Sequence, residues 1–305
     1  ESVTPFLGTP EIVLNATYDR ELFKAKLEEM GQFSAAAGAI YGHLPVSFTP
    51  EQMSQAIDTV RGSNTFPAAD IDDAVFHIKW LAESNYEIFF PHGQLISERV
   101  IFPLSQNESN GVEDARFVRF VDDDGSATYY ATYTAYNGRE VLPQLIETKD
   151  FHHFKISTLN GPLARNKGMA LFPRRINGQY AMITRSDGEN LYLSYSHNIH
   201  FWYEGVKIET PENSWELVQI GNCGSPLETK KGWILLTHGV GPMRKYCIGV
   251  SLLDLKDPSK IIGRLDEPLL APREEEREGY VPNVVYSCGS SILNGELIIP
   301  YAISD

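Results

Sequence analysis

The sequence predicts an all-β protein, a β-propeller, with a helical region in front of it. Three observations carry this reading. At Tyr86 the pattern changes from apolar residues at helical spacing to short, alternating strands. Asp124-Gly125, Asn177-Gly178, Lys231-Gly232 and Asn294-Gly295 each precede an aromatic or aliphatic strand, and Asn-Gly and Asp-Gly are strong hairpin signals. The four glycines are spaced by about 53, 54 and 63 residues, the length of a four-stranded blade with its loops. A sandwich has similar hairpins but not this period.

Taken in order, residues 1–18 read as extended, punctuated by Pro5, Gly8 and Pro10 before the apolar run Ile12-Val13-Leu14. Leu22, Phe23, Leu27 and Met30 recur at helical spacing, which predicts a helix from about Tyr18 to Ile40. Thr49-Pro50-Glu51-Gln52 is a helix start, with Thr49 as cap and Pro50 at the first position; Gly62 stops that helix. A third runs from Pro67 to about Ser84. Its carboxylates and His77 read as a solvated face and a packed histidine. The domain division is therefore 1–85, an N-terminal strand and helical region packed on the propeller, and 86–305, the blades. Glu87–Phe90 and Arg99–Pro103 read as strands. The hairpin strands are Ala127–Tyr133, Gln179–Thr184, Trp233–His238 and Glu296–Tyr301.

The chain has 305 residues and a formal net charge of -14. That charge argues against nucleic acid and anionic membranes as partners, though a local pocket can still be basic. The apolar runs are too short to span a bilayer. Cys223, Cys247 and Cys288 lack zinc-ligand spacing and are too few for a disulfide framework. They read as buried thiols in a reducing compartment, hence a cytoplasmic expectation, with one disulfide left open. Asn15-Ala16-Thr17 and Asn107-Glu108-Ser109 match the glycosylation pattern. The sequence leaves the oligomeric state open, a homo-oligomer included.

Each repeat carries a polar cluster before its hairpin: Glu113-Asp114, Arg165-Asn166, Ser225 to Glu228, and Pro282-Asn283. Equivalent positions of successive blades ring one axis, so these clusters would converge. The candidate set is Asp114, Arg165, Asn166, Arg185, Glu228, His238, Glu278 and Asp305. Carboxylates, arginines and aromatics in one funnel suit a carbohydrate, which needs bidentate hydrogen bonds and a flat apolar surface. Two facing carboxylates can act as acid and base on a glycosidic bond. His152, His153, His197 and His200 lack a ligand framework, so no metal and no cofactor is expected. There is no phosphate loop and no nucleophile elbow. A non-catalytic carbohydrate-binding propeller and a protein-interaction propeller are the competing classes.

Residues 95–305 resemble glycoside hydrolase family 130, five-bladed propeller enzymes that act on β-mannosides. The resemblance lies in Gly111-Val112-Glu113-Asp114-Ala115-Arg116, in Arg165-Asn166 with Leu171-Phe172-Pro173, and in Gly232 to Val240. It continues in Gly263 to Pro268 and Gly279 to Val285. It implies Asp114 as general acid, acting through a substrate hydroxyl, and Asp305 as a mannosyl ligand. Arg165, Asn166 and His238 would lie near phosphate or the nucleophilic water. The family holds both hydrolases and phosphorylases, the latter using inorganic phosphate as co-substrate. Phosphorylases place a lysine after the Pro-Ile step, where this chain reads Pro226-Leu227-Glu228. A glutamate there repels phosphate and can take a proton from water, which puts inverting hydrolysis, with Glu228 as base, slightly ahead of phosphorolysis. A mannose-containing oligosaccharide is the expected partner. With helices at 19–85 and an end at Asp305, the five-bladed ring is expected to be incomplete.

Overall fold

The computed structural model describes residues 10–304. Strand β1 (Glu11–Leu14) leads into a two-stranded ladder of β2 (Tyr18–Asp19) and β3 (Ser47–Phe48). Around that ladder lie helices α1 (Arg20–Glu29), α2 (Ala35–Gly42), α3 (Pro50–Gly62) and α4 (Ala68–Glu83). The single helix expected over 18–40 is two. Gly31 takes a left-handed φ of 70° and ends the first, and the Ser34 side chain caps the second by accepting from Ala37 N. Helix α3 begins with the Thr49/Gln52 capping box that its sequence announces. The four helices bury one core, with Leu27, Ile40, Phe48, Ile78 and Leu81 at its centre. Among the described residues no helix is long and apolar enough to cross a membrane.

From Tyr86 onward the chain is strands. The first sheet has the order β1-β4-β8-β7-β6-β5, with β4 (Tyr86–Phe89), β5 (Val112–Val121), β6 (Ala127–Tyr136), β7 (Val141–Thr148) and β8 (His153–Thr158). The second is β12-β11-β10-β9, from β9 (Ala170–Leu171), β10 (Tyr180–Thr184), β11 (Leu191–Ser196) and β12 (Gly205–Glu209). In the third, β15 (Gly232–Val240) pairs along one side with both β13 (Gln219–Asn222) and β14 (Leu227–Thr229). On its other side lie β16 (Tyr246–Leu253) and β17 (Ile261–Arg264). Then come two-stranded ladders, β18 (Val285–Tyr286) with β21 (Ala302–Ile303), and β19 (Ser291–Leu293) with β20 (Glu296–Ile298). The expected hairpins all form. Asn177-Gly178 and Asn294-Gly295 have positive φ at both positions, the mirror-image turn that matches strand twist.

The architecture is mostly β and propeller-like: successive antiparallel sheets send residues to one polar centre. Five blades closed into a ring are not seen among the described residues. Among the described residues there are three multi-stranded sheets and a fragmentary fourth, and no strand pairing joins the first sheet to the last. Residues 99–103 are not a strand either. The Arg99 guanidinium donates to the carbonyls of Gln94 and Phe151, which ties the segment down as a loop, and Val100 and Phe102 are exposed. Asn15 and Asn107 are both buried, so neither glycosylation match is open to modification in this fold.

One buried carboxylate fixes the loop that leads to Asp114. Glu108 is fully buried. It accepts from the hydroxyls of Tyr86 (3.0 Å), Tyr133 (2.7 Å) and Ser105 (3.1 Å), and from the backbone N–H groups of Leu104 and Ser105 (both 2.9 Å). A carboxylate survives burial only with its lone pairs filled in this way. Replacing it by Ala strands two tyrosine hydroxyls and two backbone donors. Glu108→Ala is expected to cost about 3–5 kcal/mol in a urea titration, and a cost below about 1 kcal/mol would contradict this account.

His200 gives the fold a pH dependence. Its ring lies beside Ser157 Oγ at 3.3 Å. Burial first, and then the charge of Lys155, push its pKa from 6.5 down to about 4, while Asp19 pulls the other way. The folded state therefore holds a neutral ring where the unfolded chain takes up a proton. The stability from this group is complete above pH 6.5 and is lost as the pH falls toward 4. His200→Gln should lose less stability than the parent between pH 7 and pH 5, by up to about 2 kcal/mol in urea midpoints; equal losses would contradict the assignment.

Candidate active site

Strand β5 breaks register between Glu113 and Arg116, and Asp114 sits on that bulge with a left-handed φ of 59°. A bulge of this kind re-aims one side chain out of the alternating pattern. Beyond it the alternation resumes, with Arg116, Val118 and Phe120 inward and Ala115, Phe117 and Arg119 outward. Arg116 is thereby carried into the interior, 1% exposed at its side chain, while Asp114 keeps 26%.

The two are joined through the C-terminal ladder. Arg116 donates to the Tyr286 hydroxyl at 2.7 Å and to Asp114 Oδ2 at 3.3 Å, and Tyr286 donates to Asp114 Oδ2 at 2.8 Å. Burial opposes the charge on Arg116, but Tyr286 and Asp114 outweigh it, and its pKa stands above the ordinary arginine value. Cys288 Sγ lies 3.6 Å from Asp114 Oδ1.

Arg185 and His238 form the other half. Arg185 follows β10 and is 8% exposed. Its Nη1 lies 3.4 Å from His238 Nε2, and its Nε has no hydrogen-bond partner among the described residues. His238 is buried in β15, its ring 4.9 Å from that of Tyr286 and 6.0 Å from that of Tyr246. Burial, then Arg185 and Arg116, hold its pKa well below the usual histidine range, so the ring is neutral. Gly221 makes room for it: a Cβ there would fall 2.3 Å from His238 Cε1. Next to Gly221, the buried Asn222 Oδ1 also lacks a partner among the described residues. Two guanidiniums, a neutral imidazole and one carboxylate thus share a centre in an otherwise acidic protein. Such a set can hold an anion, with a carboxyl group beside it.

The remaining candidates divide. Asn166, at a left-handed φ of 64°, lines a small gap with Arg116 and Gly168, and its neighbour Lys167 donates to Glu113 Oε2 at 2.5 Å. Arg165 lies 3.8 Å from Glu29 of α1. Glu228 is not brought to the centre. Its carboxylate takes two hydrogen bonds from Arg174, at 2.7 and 2.8 Å, and these hold it below the usual carboxylate range. It pairs with Trp233, whereas His238 lies five residues further along β15, about 17 Å away. Glu278 is exposed; in the same charge run it is Glu276 that is buried, accepting from Arg273 N and Tyr301 Oη. Asp305 lies outside the described residues. Sequence reasoning missed Arg116 and Tyr286. Arg116 stood inside the motif that named Asp114, and its inward position follows only once the bulge is known. Nothing in the sequence pairs Tyr286 with a residue 172 positions away.

The model for glycoside hydrolase family 130, described as beta-1,4-mannooligosaccharide phosphorylase, matches residues 82–305. A 1,2-beta-oligomannan phosphorylase of Thermoanaerobacter sp. (strain X514) is 36% identical over 261 residues, covering 78% of this chain and 85% of that protein. A beta-1,2-mannobiose phosphorylase of the same organism is 37% identical over 205 residues, 65% of each chain. The solved beta-1,2-mannobiose phosphorylase of Listeria innocua, in complex with beta-1,2-mannobiose, superposes with a TM-score of 0.59 at 27% identity. That match covers 67% of this chain and 58% of that one. With a family match over most of its length and this sequence identity, the chain belongs to glycoside hydrolase family 130, a family of enzymes that act on glycosides.

Proposed function

We propose that the chain is an inverting phosphorylase of β-linked mannosides, releasing mannose 1-phosphate. The observation that carries this reading is the pairing of Arg185 and His238 beside Asp114. A buried guanidinium with an unpartnered Nε and a neutral imidazole can hold a phosphate without first breaking an ion pair. The names of the relatives point the same way. The alternative of hydrolysis rested on Glu228 as base. That carboxylate, on β14 beside Trp233, is occupied by Arg174. A five-bladed propeller is the matching proposal for the fold.

In this mechanism the mannosyl C1–O bond breaks as a phosphate oxygen attacks C1 from the opposite face. Asp114 supplies the proton that the departing sugar oxygen needs, by way of a substrate hydroxyl, and a proton from phosphate restores it. Arg116 and Tyr286 donate to Asp114 Oδ2 and hold the carboxyl in one orientation, which a positioned proton transfer requires. Arg185 offsets the charge of the attacking phosphate.

The test is product analysis on β-1,2-mannobiose with and without inorganic phosphate. Mannose 1-phosphate should form only with phosphate, and Asp114→Asn should lower kcat by about 10²–10⁴-fold while Glu228→Gln keeps the parent rate within a few-fold. Free mannose at a phosphate-independent rate, abolished in Glu228→Gln, would establish the hydrolase instead.

A further inference from the structure

The two oxygens of the Asp114 carboxyl are held unequally. Oδ2 accepts from both Arg116 and Tyr286, at 3.3 and 2.8 Å. Among the described residues Oδ1 accepts from one group, the Cys288 thiol at 3.6 Å. A general acid must carry its proton on one of these oxygens. Two donors crowd Oδ2, so the proton that leaves belongs on Oδ1, the oxygen that Cys288 faces.

We infer that Cys288 is a positioning residue for the proton transfer: its thiol holds Oδ1 of Asp114 in the direction of transfer and yields it to the substrate. The inference rests on the reading of Asp114 as general acid. A thiol suits this task because it is a weak donor. A strong donor at Oδ1 would compete for the oxygen that must release the proton. An apolar group there would leave the carboxyl oriented from one side only.

The backbone brings the thiol there by a regular route. Tyr286 and Cys288 stand two residues apart at the end of β18, where alternate side chains share a face, and each reaches one oxygen of the same carboxyl. Ser287, between them, donates its hydroxyl to Pro300 O at 2.7 Å. Gly224 packs against the same turn: at its φ of 130°, a Cβ would fall 2.8 Å from Cys288 O. These contacts do not involve the thiol, so the thiol can be changed without releasing the turn. Cys223 and Cys247 are each 1% exposed, whereas Cys288 is half-buried and open to a reagent. The contact also acts in reverse, since two groups in contact are coupled. The Asp114 carboxylate opposes the thiolate that alkylation requires, by its charge and by accepting the thiol proton. Arg116 attracts both groups and is present in every variant compared.

The first measurement is steady-state turnover of β-1,2-mannobiose with inorganic phosphate by the parent, Cys288→Ala and Cys288→Ser. Cys288→Ala should lower kcat about ten-fold with KM unchanged within about two-fold. Cys288→Ser, which keeps a donor, should restore kcat to within about three-fold of the parent. The second is the rate at which iodoacetamide alkylates Cys288, read by peptide mass spectrometry. In that reaction the sulfur–carbon bond forms, the carbon–iodine bond breaks, and iodide and the thiol proton leave. Asp114→Asn should raise the rate at least about five-fold. Cys288→Ala at the parent rate, Ala and Ser variants that are equally slow, or an alkylation rate indifferent to Asp114 would each overturn the inference. Free mannose formed without phosphate, and slowed in Cys288→Ala, would overturn phosphorolysis and leave the positioning role standing. Should the protein release no product, the two alkylation rates alone decide.

Discussion

The site depends on a charge that has been taken out of water. Arg116 lies in the middle of β5, with its guanidinium almost wholly buried. A buried guanidinium costs several kcal/mol unless it is paired and hydrogen-bonded. Asp114 and Tyr286 supply both, and they come from opposite ends of the β region. The same three groups therefore do two jobs. They tie the first sheet to the C-terminal ladder, and they fix the one carboxylate whose orientation the proposed chemistry needs. The left-handed backbone at Asp114 is a strain of order 1–3 kcal/mol that this network sustains.

Much of the fold was legible in local chemistry. Helix α3 is announced by Thr49-Pro50 and its capping glutamine, and the Asn-Gly hairpins by residues that accept positive φ. The misses share a physical cause. The break between α1 and α2 depends on Gly31 adopting a left-handed φ inside an otherwise continuous helical pattern. Residues 99–103 have a strand composition, but the side-chain bonds of Arg99 hold them as a loop. In the candidate site, Asp114, Arg185 and His238, singled out in the sequence as polar residues around predicted strands, lie near one another in the structure. Glu228 was included by its place in a motif, and no local signal revealed the Arg174 that occupies it. Tyr286 is a contact across most of the chain, which periodicity cannot carry.

The net charge of -14 and the cationic centre belong together. An acidic surface discourages indiscriminate anion binding, so an anion site needs fixed guanidiniums and excluded water to make the field strong. Burial sets the same condition for His238, which stays neutral because Arg185 and Arg116 are near and water is not.

The central claim is that Arg185 and His238 make an anion site beside Asp114 while Glu228 stands apart. Calorimetric titration of inorganic phosphate into the protein tests this without requiring turnover. The account predicts a single site, weakened at least about ten-fold in Arg185→Met and unchanged in Glu228→Gln. Phosphate binding that ignores Arg185, or that strengthens when Glu228 is neutralised, would contradict it.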